Sequence, residues 1–196
     1  MKYLITSFSL LLLVGCATQG TSPTTLSLKL RLQNPLVAER YWSEMAEHMA
    51  DFVRSKNPIL KDPVKAAIIE GQRTLALQKV EEARKKETSG ISGSFVTPES
   101  LEDVHGQTLL TDNTLYFDTT FITYPGPSIH VYLTTVVDPR DVAFPDTSSI
   151  DLGALQIAYG AQQYPVSEKS MNPAFRTAVL FDTQLMKTIG FAQLSK

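Results

Sequence analysis

The sequence predicts an α+β protein in which a two-helix hairpin precedes an antiparallel β-sandwich or barrel. Apolar residues recur at helical spacing through residues 34–90, and each predicted helix starts at a capping residue followed by proline. From residue 91 onward, short apolar runs with turn signals between them indicate antiparallel strands. The break at Thr88-Ser89-Gly90 separates the two patterns, so we expect a helical hairpin at 34–90 and a β domain at 91–196.

Residues 1–15 have the features of a bacterial export signal, with Lys2 before an apolar run from Leu4 to Val14. This run is too short to cross a bilayer, which takes about 20 residues. The stretch Leu13-Val14-Gly15-Cys16 resembles the cleavage box of bacterial lipoproteins. The resemblance implies that Cys16 becomes the mature N-terminus and carries acyl chains such as palmitate. An ordinary signal peptide with a chance cysteine is the alternative, and Ala17 in place of aspartate is typical of enteric lipoproteins of the outer membrane.

A tether is predicted at residues 16–33, because 17–25 are small and polar. The alternation from Leu26 to Leu32 is typical of an edge strand, but Leu, Lys and Arg are also good helix formers, so both structures remain open. Cys16 is the only cysteine, and no intrachain disulfide can form.

The helical hairpin has clear start and stop signals. Its first helix starts at Asn34-Pro35 and is expected to end at Asn57-Pro58, because a residue before proline avoids helical angles. The second starts at Asp62-Pro63 and closes with Arg84-Lys85-Lys86, cations that suit a helix C-terminus. Two helices alone bury little apolar surface, so the hairpin is expected to pack on the β domain or on a partner.

The stretch from Phe121 to Leu133 is the predicted centre of the β domain. An apolar strand runs into the turn Tyr124-Pro125-Gly126-Pro127 and continues as a second apolar strand. In the second strand Ile129, Val131 and Leu133 face inward, and His130 and Tyr132 face the opposite side. The other strands are expected at residues 91–96, 109–111, 114–122, 151–155, 164–166, 177–181 and 189–194, with Asp112-Asn113 as a hairpin turn.

Charge excludes one class of partner. The chain has a net charge of −2 and a pI near 5.9, which provides no broad cationic surface for nucleic acid. The charges are also uneven. Residues 34–90 hold 10 Lys and Arg against 9 Asp and Glu, whereas residues 91–196 hold 5 against 11, a net charge of −6.

Several short stretches of the C-terminal half, in order and spacing, resemble the DM13 domain, over roughly residues 91–196. They are Gly93-Ser94-Phe95, His105-Gly106, Asn113 to Phe117, Gly126 to Leu133, Asp151 to Leu155, Gln163 to Val166, Ala178 to Phe181 and Phe191 to Leu194. The resemblance implies a β-rich module and a role in electron transfer, partly through a cysteine after one strand. That position falls on Asp182 here, and an aspartate has no redox chemistry.

Candidate sites are few. His105, His130 and Asp182 are a possible mixed His and carboxylate metal site, with structural histidines as the alternative. The loop aspartates Asp138, Asp141, Asp146 and Asp151 favour a solvated acidic loop over a calcium site. Tyr124 and Tyr159 lie next to proline or glycine turns and are the candidate binding residues of the surface.

No catalytic motif is present in the sequence, so a non-enzymatic protein is expected. We expect a lipoprotein anchored at Cys16 in the bacterial outer membrane, facing the periplasm or the exterior. Its β domain is expected to bind another envelope protein or a small ligand, with no cofactor. The alternative is an electron-transfer accessory with a bound transition metal, as the DM13 resemblance implies.

Overall fold

A computed structural model describes residues 27–99 and 101–196 of the chain. The signal sequence, Cys16 and most of the expected tether lie outside these residues. Three α-helices are followed by eight β-strands, in the predicted α+β order. They are α1 Leu28–Arg31, α2 Pro35–Arg54, α3 Pro63–Ser89, β1 Ile91–Val96, β2 Gln107–Thr111, β3 Thr114–Phe117, β4 Ile129–Thr134, β5 Ile150–Ala154, β6 Gln162–Pro165, β7 Thr177–Asp182 and β8 Lys187–Gln193, with 3-10 helices at Pro58–Lys61 and Pro139–Asp141.

Both long helices start at the predicted capping residues. The side chain of Asn34 accepts a hydrogen bond from the N–H of Leu36, and that of Asp62 accepts from Val64 and Lys65. The helix ends differ from the expectation. Helix α2 ends at Arg54, because the turn after it closes before Asn57, and α3 continues to Ser89, past the predicted basic end.

The segment with the strand-like alternation is helical. Leu28–Arg31 forms the single turn α1, after Ser27, so the helical alternative for this part of the expected tether is the correct one. None of the helices in the described ranges is long and apolar enough to cross a membrane.

The hairpin is attached to the β domain at its base. The buried Asn34 donates from its side-chain nitrogen to the carbonyl of Phe117 at 2.8 Å, and Arg40 donates to the hydroxyl of Thr119. At the end of α3, the hydroxyls of Ser89 and Thr111 are 3.2 Å apart. The predicted packing of the hairpin on the β domain is therefore confirmed, through the first turns of α2 and the last turn of α3.

The eight strands form one antiparallel sheet in the order β5-β4-β7-β8-β1-β2-β3-β6. Strand β8 joins the two halves of this sheet, because it pairs with β7 on one side and β1 on the other. Strands β5 and β6 are at its two ends. The sheet curls into a nearly closed barrel around the main core, which confirms the predicted sandwich or barrel.

The turn at Asp112-Asn113 is confirmed, with positive φ angles of 48° and 55° at the two residues. The strand that was predicted for the first half of the central stretch does not form. Strand β3 ends at Phe117, because Asp118 turns the chain by accepting bonds from the N–H of Gln107 and the hydroxyl of Thr120. Residues 121–123 form only single bridges, through Ile122, to His105 and Tyr159.

The predicted facing of β4 is confirmed. Ile129, Val131 and Leu133 lie in the main core, and Tyr132 lies on the other face of the sheet. There it packs in a second, smaller aromatic cluster with Phe144, Phe181 and Phe191. The sheet is therefore covered on both faces around β4 and β7.

Candidate functional site

The two end strands of the sheet, β5 and β6, lie near each other along a seam, where side chains bond β6 to the connection that follows β5. In the described part of the chain these strands do not pair with each other. Instead Gln162, just inside β6, donates to the carbonyl of Ile157 and accepts from its N–H. Gln156 donates to the carbonyl of Gln163 at 2.8 Å. Amide side chains thus tie β6 to residues 156–157, which follow β5.

Tyr164 completes the seam from inside the barrel. Its hydroxyl donates to Gln162 Oε1 at 2.6 Å and accepts from the N–H of Gln156 at 3.0 Å. Burial raises the pKa of Tyr164 to about 12, so the hydroxyl stays protonated at neutral pH and remains a donor.

A cleft of about 580 Å³ opens over the seam, between it and the first helical turns. Its walls come from three regions: helix α1 and the start of α2, Thr119 in the turn after β3, and the segment from Gln156 to Pro165. The lining residues used below are Leu30, Arg31, Val37, Ile157, Tyr159 and Gln163. Leu30, Ile157 and Tyr159 are exposed here, which leaves apolar surface open to a ligand.

Among the described residues that line the cleft, Arg31 is the only charged one. None of the ion pairs within residues 27–99 and 101–196 involves its guanidinium. The other polar groups are amides and hydroxyls, several already bonded to each other across the seam. The cleft therefore combines an apolar wall with one cation, and its volume lies within the range of small-molecule sites.

The two predicted binding tyrosines are both exposed, but they lie in different places. Tyr159 is 61% exposed and lines the cleft, whereas Tyr124 is 52% exposed and is not part of its lining. Sequence reasoning missed Arg31, Gln156 and Gln162. A signal for Gln162 exists in the sequence, because it alternates with Tyr164 and Val166 on the inward face of one strand, where a glutamine needs an internal partner.

The predicted metal ligands have other partners. His105 Nδ1 lies 3.2 Å from Asp103 Oδ1, and His130 Nδ1 lies 2.8 Å from Asp151 Oδ2. Among the described residues, no three or more His, Cys, Asp or Glu side chains are grouped so that they would hold a metal ion. The loop aspartates are also separated by their partners, since Asp138 pairs with Arg140 and Asp146 accepts from Thr134, Ser148 and Ser149.

Asp182, at the position that the DM13 resemblance gives to a cysteine, is fully buried and anchors two loops. Its carboxylate accepts from the N–H groups of Gln184 and Leu185 at 3.0 Å and of Ser128 at 3.2 Å. Burial alone would raise the pKa of Asp182, but these N–H donors and the nearby His130 outweigh it and lower the pKa below its ordinary value of 3.8. The side chain is therefore an ionised anchor for the backbone.

The predicted turn before β4 packs directly on this anchor. A Cβ atom added at Gly126 would lie 2.6 Å from Asp182 Oδ2, so only glycine allows the turn to approach so closely. The hydroxyls of Ser128 and Thr183, 2.7 Å apart, join the same two loops. The Tyr124 to Pro127 turn thus has a structural role that its sequence alone does not reveal.

Comparison with curated proteins and with solved structures gives no match to the chain. The family model described as "Electron transfer DM13" matches residues 94–194, which is just over half of the 196 residues. The match runs from the second half of β1 to the end of β8 and includes both the seam and Asp182. The chain belongs to the DM13 family.

Proposed function

We propose that this protein is a lipid-anchored lipoprotein of the bacterial envelope whose DM13 domain is a non-enzymatic binding module. The cleft over the seam is its ligand site. The observation that supports this most strongly is the combination, in one cleft of about 580 Å³, of an apolar wall with a single cation, Arg31. Such a site suits a small apolar molecule that carries one anionic group.

A charged fluorescent probe tests this site. Anilinonaphthalene sulfonate has an aromatic body and one sulfonate, and we expect it to bind the folded protein with saturable, enhanced emission. Arg31→Gln should weaken binding about tenfold, since it removes a charge-assisted contact. Arg176→Gln removes another exposed arginine that lies outside the cleft and should leave binding unchanged. If both variants bind the probe equally well, the cleft is not the binding site.

The anchor has its own test. Cys16→Ser should abolish acylation and release the protein from membranes that are washed at high salt, because stable anchoring needs acyl chains. Wild-type and variant proteins are compared by fractionation and by metabolic labelling with a fatty acid. A variant that still fractionates with the outer membrane after the high-salt wash would show that the anchor lies elsewhere.

Electron transfer is the second candidate, and the description of the family favours it. A redox centre in this chain needs a metal or a partner's cofactor, because Asp182 replaces the cysteine that the resemblance implies. We expect purified protein to be colourless, without stoichiometric transition metal or a reversible redox wave. Stoichiometric iron or copper that disappears in His130→Ala would make electron transfer the better assignment.

A further inference from the structure

The far end of the helical hairpin, residues 53–68, has an exposed apolar surface that the rest of the described chain does not cover. We call this region the hairpin tip; it contains the end of α2, the 3-10 helix and the first turns of α3. Val53, Val64 and Ile68 are 53%, 67% and 57% exposed there. Since α2 has 20 residues, the hairpin tip stands about 30 Å from the base that contacts the β domain.

The hairpin tip is also rich in lysine. Lys56, Lys61 and Lys65 all belong to the hairpin tip, and Asp62 is its only carboxylate. Asp62 is occupied as the cap of α3, with Lys65 Nζ at 3.6 Å. Lys56 and Lys61 take part in none of the ion pairs of the described residues, whereas Arg54 is neutralised by Glu47 and Asp51.

Lys56 occupies a backbone position that glycine adopts at a lower cost in free energy. The N–H of Asn57 bonds to the carbonyl of Phe52 and that of Lys56 to Val53, the bond pattern of a Schellman helix end. Lys56 holds the left-handed conformation of this motif, with φ of 50°. A side chain in this conformation is unfavourable compared with glycine, so the chain keeps a lysine here at some loss of stability.

We propose that the hairpin tip binds the surface of a bilayer that contains anionic lipid. Exposed apolar side chains at the end of a hairpin, with lysines in the same segment, fit the boundary between headgroups and acyl chains. The charge distribution of the molecule favours the same orientation, because residues 91–196 have a net charge of −6 and an anionic surface repels them. Binding by the hairpin tip does not require an acyl chain at Cys16.

Vesicle co-sedimentation tests the proposal with the chain from residue 17 onward, which is not acylated and keeps every described residue. We expect it to sediment with phosphatidylcholine vesicles containing about a third phosphatidylglycerol, and not with pure phosphatidylcholine. Each lysine near an anionic bilayer contributes about fivefold to partitioning, so Lys56→Gln with Lys61→Gln should weaken binding about 25-fold. Absence of wild-type binding would overturn the proposal.

Two further variants define the contact. Lys85→Gln with Lys86→Gln makes the same charge change at the other end of α3, and it should leave binding unchanged. Equal losses in the two double variants would mean diffuse charge attraction and would overturn the proposal. Val64→Ser with Ile68→Ser should also weaken binding, because the inserted apolar surface is lost. Circular dichroism establishes that these exposed substitutions leave the helices intact.

Binding partners of the hairpin tip other than lipid would give different outcomes. If polyglutamate binds as tightly as the vesicles and Val64→Ser with Ile68→Ser has no effect, the partner is an acidic protein and the lipid assignment fails. If wild-type protein forms dimers in the absence of lipid and the same apolar variant dissociates them, the hairpin tip is an interface between two copies. Monomeric protein that binds only anionic vesicles supports the proposal.

Discussion

The hairpin and the β domain bury different kinds of side chain. The covered residues between α2 and α3 are mainly small, and they include Ala46, Ala76, Val80 and Ala83. The main core of the β domain instead contains aromatic rings in contact, with Phe117 lying 4.7 to 5.5 Å from Phe95, Phe121 and Tyr164 between ring centroids. Each buried aromatic side chain removes about 150–250 Å² from water. From this difference we expect the β domain to provide its own stability and the hairpin to depend on its attachment.

The largest expected effect comes from the aromatic core. Phe117→Ala should lower the free energy of unfolding by about 3–5 kcal/mol, because it leaves a cavity among three other rings. Urea unfolding followed by near-ultraviolet circular dichroism measures the change. Phe52→Ala makes the same truncation in the hairpin, where the side chain is only half-buried, and should cost about 1 kcal/mol. Similar losses at both positions would contradict the comparison.

Asp182→Asn should destabilise the β domain by about 2–3 kcal/mol at neutral pH. One carboxylate oxygen accepts two N–H groups and the other accepts the N–H of Ser128, so an amide nitrogen would face a donor. The pKa of Asp182 is lowered in the folded protein, so its contribution is present above 3.8 and is lost as pH falls through the folded pKa. The difference in free energy of unfolding between wild type and variant should therefore decrease only below pH 3.8. A difference that stays constant with pH would contradict this account.

Loss of the attachment between the hairpin and the β domain should give the next largest decrease in the free energy of unfolding. Asn34→Ala removes both the cap of α2 and the bond to the carbonyl of Phe117, and should cost about 1–2 kcal/mol. Hydrogen exchange should become faster in α2 while β4 and β7 stay protected. Asn57→Ala removes a comparable cap that makes no bond to the sheet, so it should not produce this pattern. Loss of protection in β4 would mean that the two regions unfold together.

Gly71→Ala should change the free energy of unfolding least, and it should raise this free energy instead of lowering it. A Cβ atom there meets nothing within 4 Å, so alanine should stabilise α3 by about 0.5–1 kcal/mol. Gly126→Ala is the matched change in the β domain and should destabilise it, because the added atom meets Asp182. Helix content during thermal unfolding reports the first change. Destabilisation by Gly71→Ala would reveal a close contact on this face of α3.

Local signals predicted the parts of the fold that depend on neighbouring residues. Asn34-Pro35 and Asp62-Pro63 each carry a cap and a preset backbone angle, and Asp112-Asn113 tolerates the positive φ angles of its turn. Strand β3 was predicted too long, because the hydrogen bonds of Asp118 decide its end and one of them reaches back to Gln107.

The candidate site was less predictable, for a physical reason. Tyr159 was singled out by its turn, but the cleft also needs Arg31, more than 100 positions away in the chain. The role of Asp182 likewise depends on Ser128, 54 residues away. Such pairs arise from the order of strands in the sheet, and one sequence without its topology does not contain that order.

The central place of β8 has a consequence for the time at which the protein folds during synthesis. It is the last of the eight strands to emerge, yet it joins β5-β4-β7 to β1-β2-β3-β6. Until residues 187–193 are available, a growing chain contains two open sheets, and each presents an unpaired edge where β8 will bind. The barrel therefore closes in one late step, after the whole β domain has been made.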